Sequence, residues 1–194
     1  MKFISKRNQV FLRDGFVYKQ VKDPQAAALE ASILRELCGR GVAVPEVLDC
    51  RGSLLMLEYL PGEPLPDVIE RGGYSPEAIA LALCDWFAAF YAAVPGERRG
   101  DVNGRNFLYG RFGRWDGEKI YGVDFEERCY GSPTRDAGRL AAFIETYETR
   151  NRTGQAALSR VFVNDFSERF GCELREILAE REREYEAMRG RRHR

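Results

Sequence analysis

The spacing of apolar and polar positions along this chain changes several times, and each change marks an element. The stretch QVFLRDGFVYKQV, residues 9–21, holds two β-prone runs joined by Asp14-Gly15. An Asp-Gly step between such runs is a strong hairpin signal. The spacing then turns helical: DPQAAALEASILRELCGRG offers Asp23 as N-cap, Pro24 at the first helical position and Gly39 or Gly41 as the stop. VPEVLDC and SLLMLEYL, separated by Arg51-Gly52, are two further strands, and PGEPLPD after them carries too much proline to continue either. SPEAIALALCDWFAAFYAAV, capped by Ser75 with Pro76 behind it, is apolar almost all round, which predicts a helix central to its half. A polar loop follows, then a strand NFLYG, a turn at Trp115-Asp116-Gly117, a second strand KIYGVDF, and three helical patterns, RDAGRLAAFIETYE, QAALSRVFVNDFSERF and ELREILAEREREYEAM. The predicted class is α+β. Residues 1–60 form a small antiparallel sheet with one helix, 61–74 a hinge and connector, and 75–194 a mainly helical half.

Composition narrows the function classes. A chain of 194 residues is long enough to bury a core. Its 30 basic and 30 acidic residues cancel, so no overall field argues for nucleic acid or a membrane. The cysteines, Cys38, Cys50, Cys84, Cys129 and Cys172, are odd in number, widely spaced and free of any CxxC pair. That pattern disfavours a disulfide framework or a zinc site and fits a reducing cytoplasm. The opening MKFISKRNQVFLRD lacks a signal-peptide core, and no later run reaches the roughly 18 apolar residues that span a bilayer. The expectation is a cytoplasmic chain without membrane insertion. The closing RGRRHR is read as a solvated, frayed end, with Arg189, Arg191, Arg192 and Arg194 as an uncompensated cluster that would suit a protein or RNA partner.

The chemistry concentrates in RRGDVNGRNFLYG, residues 98–110, where Asp101, Asn103 and Asn106 share one short loop before a strand. An aspartate, an asparagine five positions on, a strand, a turn and a second strand ending in Asp124-Phe125 resemble the catalytic and metal-binding loops of protein-kinase-like phosphotransferases. The resemblance is closest to the small atypical kinases. RGDVNGRN is similar to the H-G-D-x-x-x-x-N loop of aminoglycoside phosphotransferases and of the RIO, lipopolysaccharide-kinase and KEOPS-kinase families. GVDFE is similar to their Asp-Phe-Gly or Asp-Trp-Glu segment, and RDAGRL to the helix whose aspartate, here Asp136, braces the catalytic loop. The small size and arginine-rich end resemble the KEOPS kinase.

This resemblance implies a minimal bilobal protein-kinase-like fold that uses ATP and Mg²⁺. It implies that Asp101 faces the acceptor hydroxyl, that Asn106 and Asp124 present oxygens to Mg²⁺, and that Arg105 neutralises charge on the transferring phosphoryl group. Lys19 would hold the α- and β-phosphates and pair with Glu30, with Glu36 competing for that role. Backbone groups near Glu58 and Leu60 would bond the adenine edge, with Val17, Leu48 and Met56 as apolar walls. Each residue also has an ordinary reading: Lys19 as an edge lysine, Arg105 as a surface arginine pairing with Glu126 or Glu127, Asp124 as a turn cap.

The chain departs from the family pattern at four places. No Gly-x-Gly-x-x-Gly loop precedes Lys19, which leaves SKRN, with Ser5, Lys6 or Asn8, as the cover for the phosphates. Arg99-Gly100 replaces the histidine before the catalytic aspartate, Glu126 replaces the Asp-Phe-Gly glycine, and EERCYGSPT is too short for a regulatory activation segment. The expected activity is transfer of the ATP γ-phosphate to a hydroxyl acceptor, protein Ser/Thr first. A small-molecule, sugar or lipopolysaccharide acceptor is the alternative within the enzyme class; a nucleotide-binding pseudokinase or scaffold is the alternative outside it.

Overall fold

The computed structural model describes residues 2–3, 8–111, 117–126 and 128–192. Ser5, Lys6, Trp115, Asp116, Glu127 and Arg194, named above, lie outside the described residues.

The first half is a five-stranded antiparallel sheet with the order β1-β2-β3-β5-β4, formed by β1 (Lys2–Phe3), β2 (Gln9–Arg13), β3 (Phe16–Gln20), β4 (Val47–Arg51) and β5 (Leu54–Glu58). Asp14 and Gly15 turn the β2–β3 hairpin with φ of 52° and 82°, the paired left-handed conformation of a tight two-residue turn. Helix α1 (Pro24–Gly39) starts where the sequence places it, with the Asp23 carboxylate accepting from Gln25 N at 2.9 Å. The register pairs Val17 with Leu57 and Lys19 with Leu55, and sets Tyr18 opposite Met56. Because faces alternate with period two, Met56 is turned away from the face that carries Val17 and Lys19, so it is no wall of the expected cleft. Leu48 lies at the bulge between Val47 and Asp49 and is exposed.

The second half is built on α3 (Pro76–Ala93), whose Trp86, Phe87, Phe90 and Tyr91 interleave with Phe107, Phe125, Phe162 and Phe166. By length and composition α3 is apolar enough to cross a bilayer, contrary to the expectation that no run reaches that limit. Here Ile79, Leu83, Trp86, Phe87 and Phe90 are buried, and each such side chain contributes about 1.5–3 kcal/mol of hydrophobic stabilisation. After α3 come β7 (Glu97–Arg98), a single 3₁₀ turn at Gly104–Asn106, the hairpin β8 (Phe107–Arg111) and β9 (Glu118–Gly122), β10 (Cys129–Tyr130), and the helices α4 (Pro133–Thr146), α5 (Arg152–Phe170) and α6 (Leu174–Arg192).

The expected hinge is itself structured. It holds a strand, β6 (Glu63–Pro64), that pairs with β8, and a helix, α2 (Leu65–Arg71), with Pro66 in its first turn, where a missing N–H costs nothing. α6 crosses α4 at Gly138, where a Cβ would stand 2.6 Å from Ile177 O. The helix continues through Gly190 to Arg192, and Arg191 donates to Glu184 Oε1 at 2.6 Å. Part of the expected frayed, uncompensated end is therefore helical and paired. The two halves meet at the Ala43 carbonyl, which accepts from Gly122 N at 3.0 Å and Trp86 Nε1 at 2.8 Å, and at Leu60, which packs on Tyr121 and Val123.

Candidate phosphotransfer site

Lys19 sits on the covered face of β3 and is 5% exposed. Its ammonium donates to Glu30 Oε1 and Oε2 at 2.8 and 2.7 Å and to the Asp124 carboxylate, with Glu126 Oε1 at 3.6 Å. Glu30 reaches it because helical spacing puts it on the buried face of α1 with Ala27, Ala31 and Leu34. Glu36 takes no part: it pairs with Arg128, which also binds Glu97 at 2.6 Å. Glu30 additionally accepts from Phe125 N at 3.4 Å, so one carboxylate touches both the lysine and the Asp-Phe segment.

Burial works against the charge on Lys19, and the Glu30 and Asp124 carboxylates outweigh it, holding the ammonium above its ordinary value of 10.5. Burial also pushes Glu30 up, with Lys19 offsetting part of the rise. A raised lysine contributes stability that is complete below its unfolded value and lost as pH climbs through its folded one. The stability difference between wild type and Lys19→Met is therefore expected to hold steady up to about pH 10.5 and to shrink above it. Denaturant unfolding along the alkaline limb measures this, and a difference that stays constant there would rule out the charged pairing.

The catalytic-loop candidate is fixed from behind. Asp136, fully buried on α4, accepts from Arg99 N at 2.6 Å, Gly100 N at 3.1 Å and the Tyr91 hydroxyl at 3.0 Å. Burial pushes this carboxyl above the usual range while those donors pull it back. Gly100 has φ +79°, and a Cβ on it would collide with Cys129 Sγ, so glycine is required there on both counts. Arg99, where the kinase motifs that this loop resembles carry a histidine, is buried and donates from Nη2 to Val123 O at 2.7 Å and Asp124 O at 2.8 Å, with its guanidinium 4.0 Å over the Phe125 ring. It ties the Asp101 loop to the Asp124 loop. The sequence marked this position only as a departure, because a single arginine carries no local sign of a bond 25 residues away.

Asp101 is exposed, with Oδ1 accepting from Asn103 N at 3.2 Å. Asn106 spends its amide nitrogen on Asp101 O at 3.4 Å, and its own carbonyl accepts from Val123 N at 2.9 Å. Phe107 pairs with Gly122, so Asn106 and Asp124 stand at the same end of the β8–β9 hairpin. Asp124 has φ 68°, a left-handed conformation that a non-glycine residue holds at a cost of about 1–3 kcal/mol and that recurs at functional sites.

The remaining candidates are placed as follows. Arg105 donates to the Tyr147 hydroxyl at 2.8 Å and lies 3.9 Å from Asp67, so it flanks the loop on its outer side and does not pair with Glu126. Glu126 instead meets Lys19 and accepts from Asn8 Nδ2 at 2.7 Å, a contact from the start of the first hairpin across to the Asp124 loop. Glu58 donates its N–H to Glu46 O at 2.9 Å, and its Oε2 accepts from Glu46 N at 3.2 Å; Leu60 is buried at the start of the connector.

Among the described residues no group of three His, Cys, Asp or Glu side chains forms a self-contained metal cage. Asn106 and Asp124 supply two hard oxygen donors, which fits Mg²⁺, an ion that takes one or two side-chain ligands and completes its shell with phosphates and water.

No protein-family model and no curated protein matches the chain. Among solved structures it is similar to a choline/ethanolamine kinase family protein from Mesorhizobium loti, with a TM-score of 0.54 and 20% identity over 84% of this chain and 69% of that one. The likeness concerns the fold. An antiparallel sheet with one helix, followed by a mostly helical remainder, makes this chain α+β and kinase-like in architecture.

Proposed function

We propose that this chain is an ATP-dependent phosphotransferase whose acceptor is a hydroxyl on a small molecule, with a nucleotide-binding lobe to residue 60 and a helical lobe from residue 75. The observation that carries the reading is the cluster of Lys19, Glu30 and Asp124, with Asp101 and Asn106 tied to it through Arg99 and Val123. The name of the structural neighbour favours a small-molecule acceptor over the protein Ser/Thr that the sequence put first. The short span between Asp124 and α4 supports the same order, since it leaves little chain for a protein-docking segment.

In this reading Lys19 neutralises and positions the α- and β-phosphates, and Glu30 holds Lys19 in place. Asn106 and Asp124 would hold Mg²⁺, which would supply positive charge against the negative charge that develops on the phosphates. Asp101 takes the proton of the acceptor hydroxyl as the new O–P bond forms; the bond from the γ-phosphorus to the β-phosphate oxygen breaks, and ADP leaves. Arg105, held beside this loop by Tyr147, neutralises charge on the transferring phosphoryl group. In this reading the first hairpin covers the phosphates in place of a glycine-rich loop, which the hydrogen bond from Asn8 to Glu126 supports.

Calorimetric titration of ATP with and without Mg²⁺ tests the site. Tight binding is expected only with the metal, and equal affinity in both conditions would remove Asn106 and Asp124 as ligands. A γ-phosphate transfer screen over choline, ethanolamine, sugars, aminoglycosides and protein hydroxyls then tests the acceptor class. Transfer confined to protein hydroxyls would overturn the small-molecule assignment.

A further inference from the structure

We infer that α6 sets the geometry of the catalytic loop through a relay from Glu184 to Arg139 to the Gly100 carbonyl, which makes Arg139 and Glu184 positioning residues. Only the activity arm of this inference rests on the phosphotransferase reading. Arg139 Nη1 donates to Gly100 O at 2.6 Å, and its Nε donates to Glu184 Oε2 at 3.0 Å. Glu184 is 7% exposed, and its other oxygen accepts from Arg191 at 2.6 Å. A carboxylate this buried is retained at a cost unless its partners are in place.

Asp136 and Arg139 lie one turn apart on α4, so they project from the same side of the helix. Asp136 holds the N–H of Gly100 and Arg139 holds its C=O. Both polar groups of the residue before Asp101 are thus gripped by one helical turn, on the backbone with the widest conformational freedom. The grip on the carbonyl is aimed by α6, whose distance from α4 is fixed by the close crossing at Gly138. A surface arginine that served helix packing alone would have no reason to spend a hydrogen bond on that carbonyl. The C-terminal helix therefore acts on the loop as well as on the core.

The test uses the full chain with Arg139→Met, Glu184→Gln and the conservative Arg139→Lys. Amide hydrogen exchange is followed over residues 99–102 and, as a packing control, over 177–181. Steady-state kcat and the KM for ATP are measured on the same proteins. Arg139→Met and Glu184→Gln are expected to speed exchange at 99–102 about tenfold or more while 177–181 changes less than about twofold. They are expected to lower kcat about 10- to 100-fold with the KM for ATP within about threefold, since small misplacements of a reacting group cost rate more than binding. Arg139→Lys is expected to recover part of both effects.

Unaltered exchange at 99–102 overturns the relay. Equal acceleration of both segments assigns the residues to fold stability and overturns it too, and faster exchange with unchanged kcat overturns the positioning role. If the wild-type chain transfers no phosphate to any acceptor and hydrolyses no ATP, the phosphotransferase reading fails, while the exchange arm still decides whether α6 holds the loop.

Discussion

Asp101→Asn is expected to lower kcat for phosphoryl transfer about 10³-fold while leaving ATP affinity within about twofold, because a positioned proton acceptor contributes about 10²- to 10⁴-fold and acts on the acceptor alone. The substitution is nearly isosteric. The side-chain oxygen that accepts from Asn103 N can be kept, and the bond from Asn106 Nδ2 goes to the main-chain carbonyl, which does not change. What is lost is the basic carboxylate on the exposed side of the loop. Lys19 and Asp124, which hold the nucleotide in this reading, are untouched. Steady-state turnover with a competent acceptor, alongside calorimetric ATP binding, measures both quantities. Turnover at the wild-type rate would remove Asp101 from the chemistry.

Asp136→Ala is expected to destabilise the fold by about 3–5 kcal/mol, since it strips the acceptor from three donors at a fully buried position and each such orphan costs about 1–3 kcal/mol. Two of the three are the backbone N–H groups of Arg99 and Gly100, and the third is the Tyr91 hydroxyl, which burial and the Asp136 carboxylate already push well above its ordinary value. Against a typical total of about 5–15 kcal/mol, this is a large share. Asp136→Asn should fall between the two, because its amide nitrogen is set against one of the same donors. The midpoint and slope of urea unfolding measure the loss, and a cost under about 1 kcal/mol would show that the donors find other partners.

The parts of this molecule that the sequence made legible are those whose signals are local. Asp14-Gly15, the Asp23-Pro24 cap, and the Ser75-Pro76 cap each fix an element from adjacent residues. The pairing of Lys19 with Glu30 was expected from the resemblance to kinase motifs, and the two side chains do meet; the same resemblance singled out Asp101, Asn106 and Asp124, which the β8–β9 hairpin keeps near one another. The failures are of two kinds. Met56 was misplaced because it was assigned by distance from the connector without regard to the period-two alternation of β5. The helix at Leu65–Arg71 was missed because Pro64 and Pro66 read as breakers, whereas at a helix start proline is compatible with the fold. The bonds made by Arg99, Arg139 and Glu184 left no sign in the sequence, although the Arg99 position was marked as a departure from the kinase pattern. Their partners lie 24 to 45 residues away, and nothing in the neighbouring sequence records them.

The double acceptor at Ala43 also bears on how the two halves are held together. Ala43 O takes bonds from Gly122 and Trp86, and Ala43 packs against the Leu60–Tyr121 pair, so these contacts form one buried junction. Arg128, paired with Glu36 of α1 and Glu97 of β7, adds a second fastening. Its partly exposed ion pairs are the bonds that salt weakens. Ionic strength therefore acts unequally on the contacts between the halves: it loosens the Arg128 fastening and leaves the buried Ala43 junction in place.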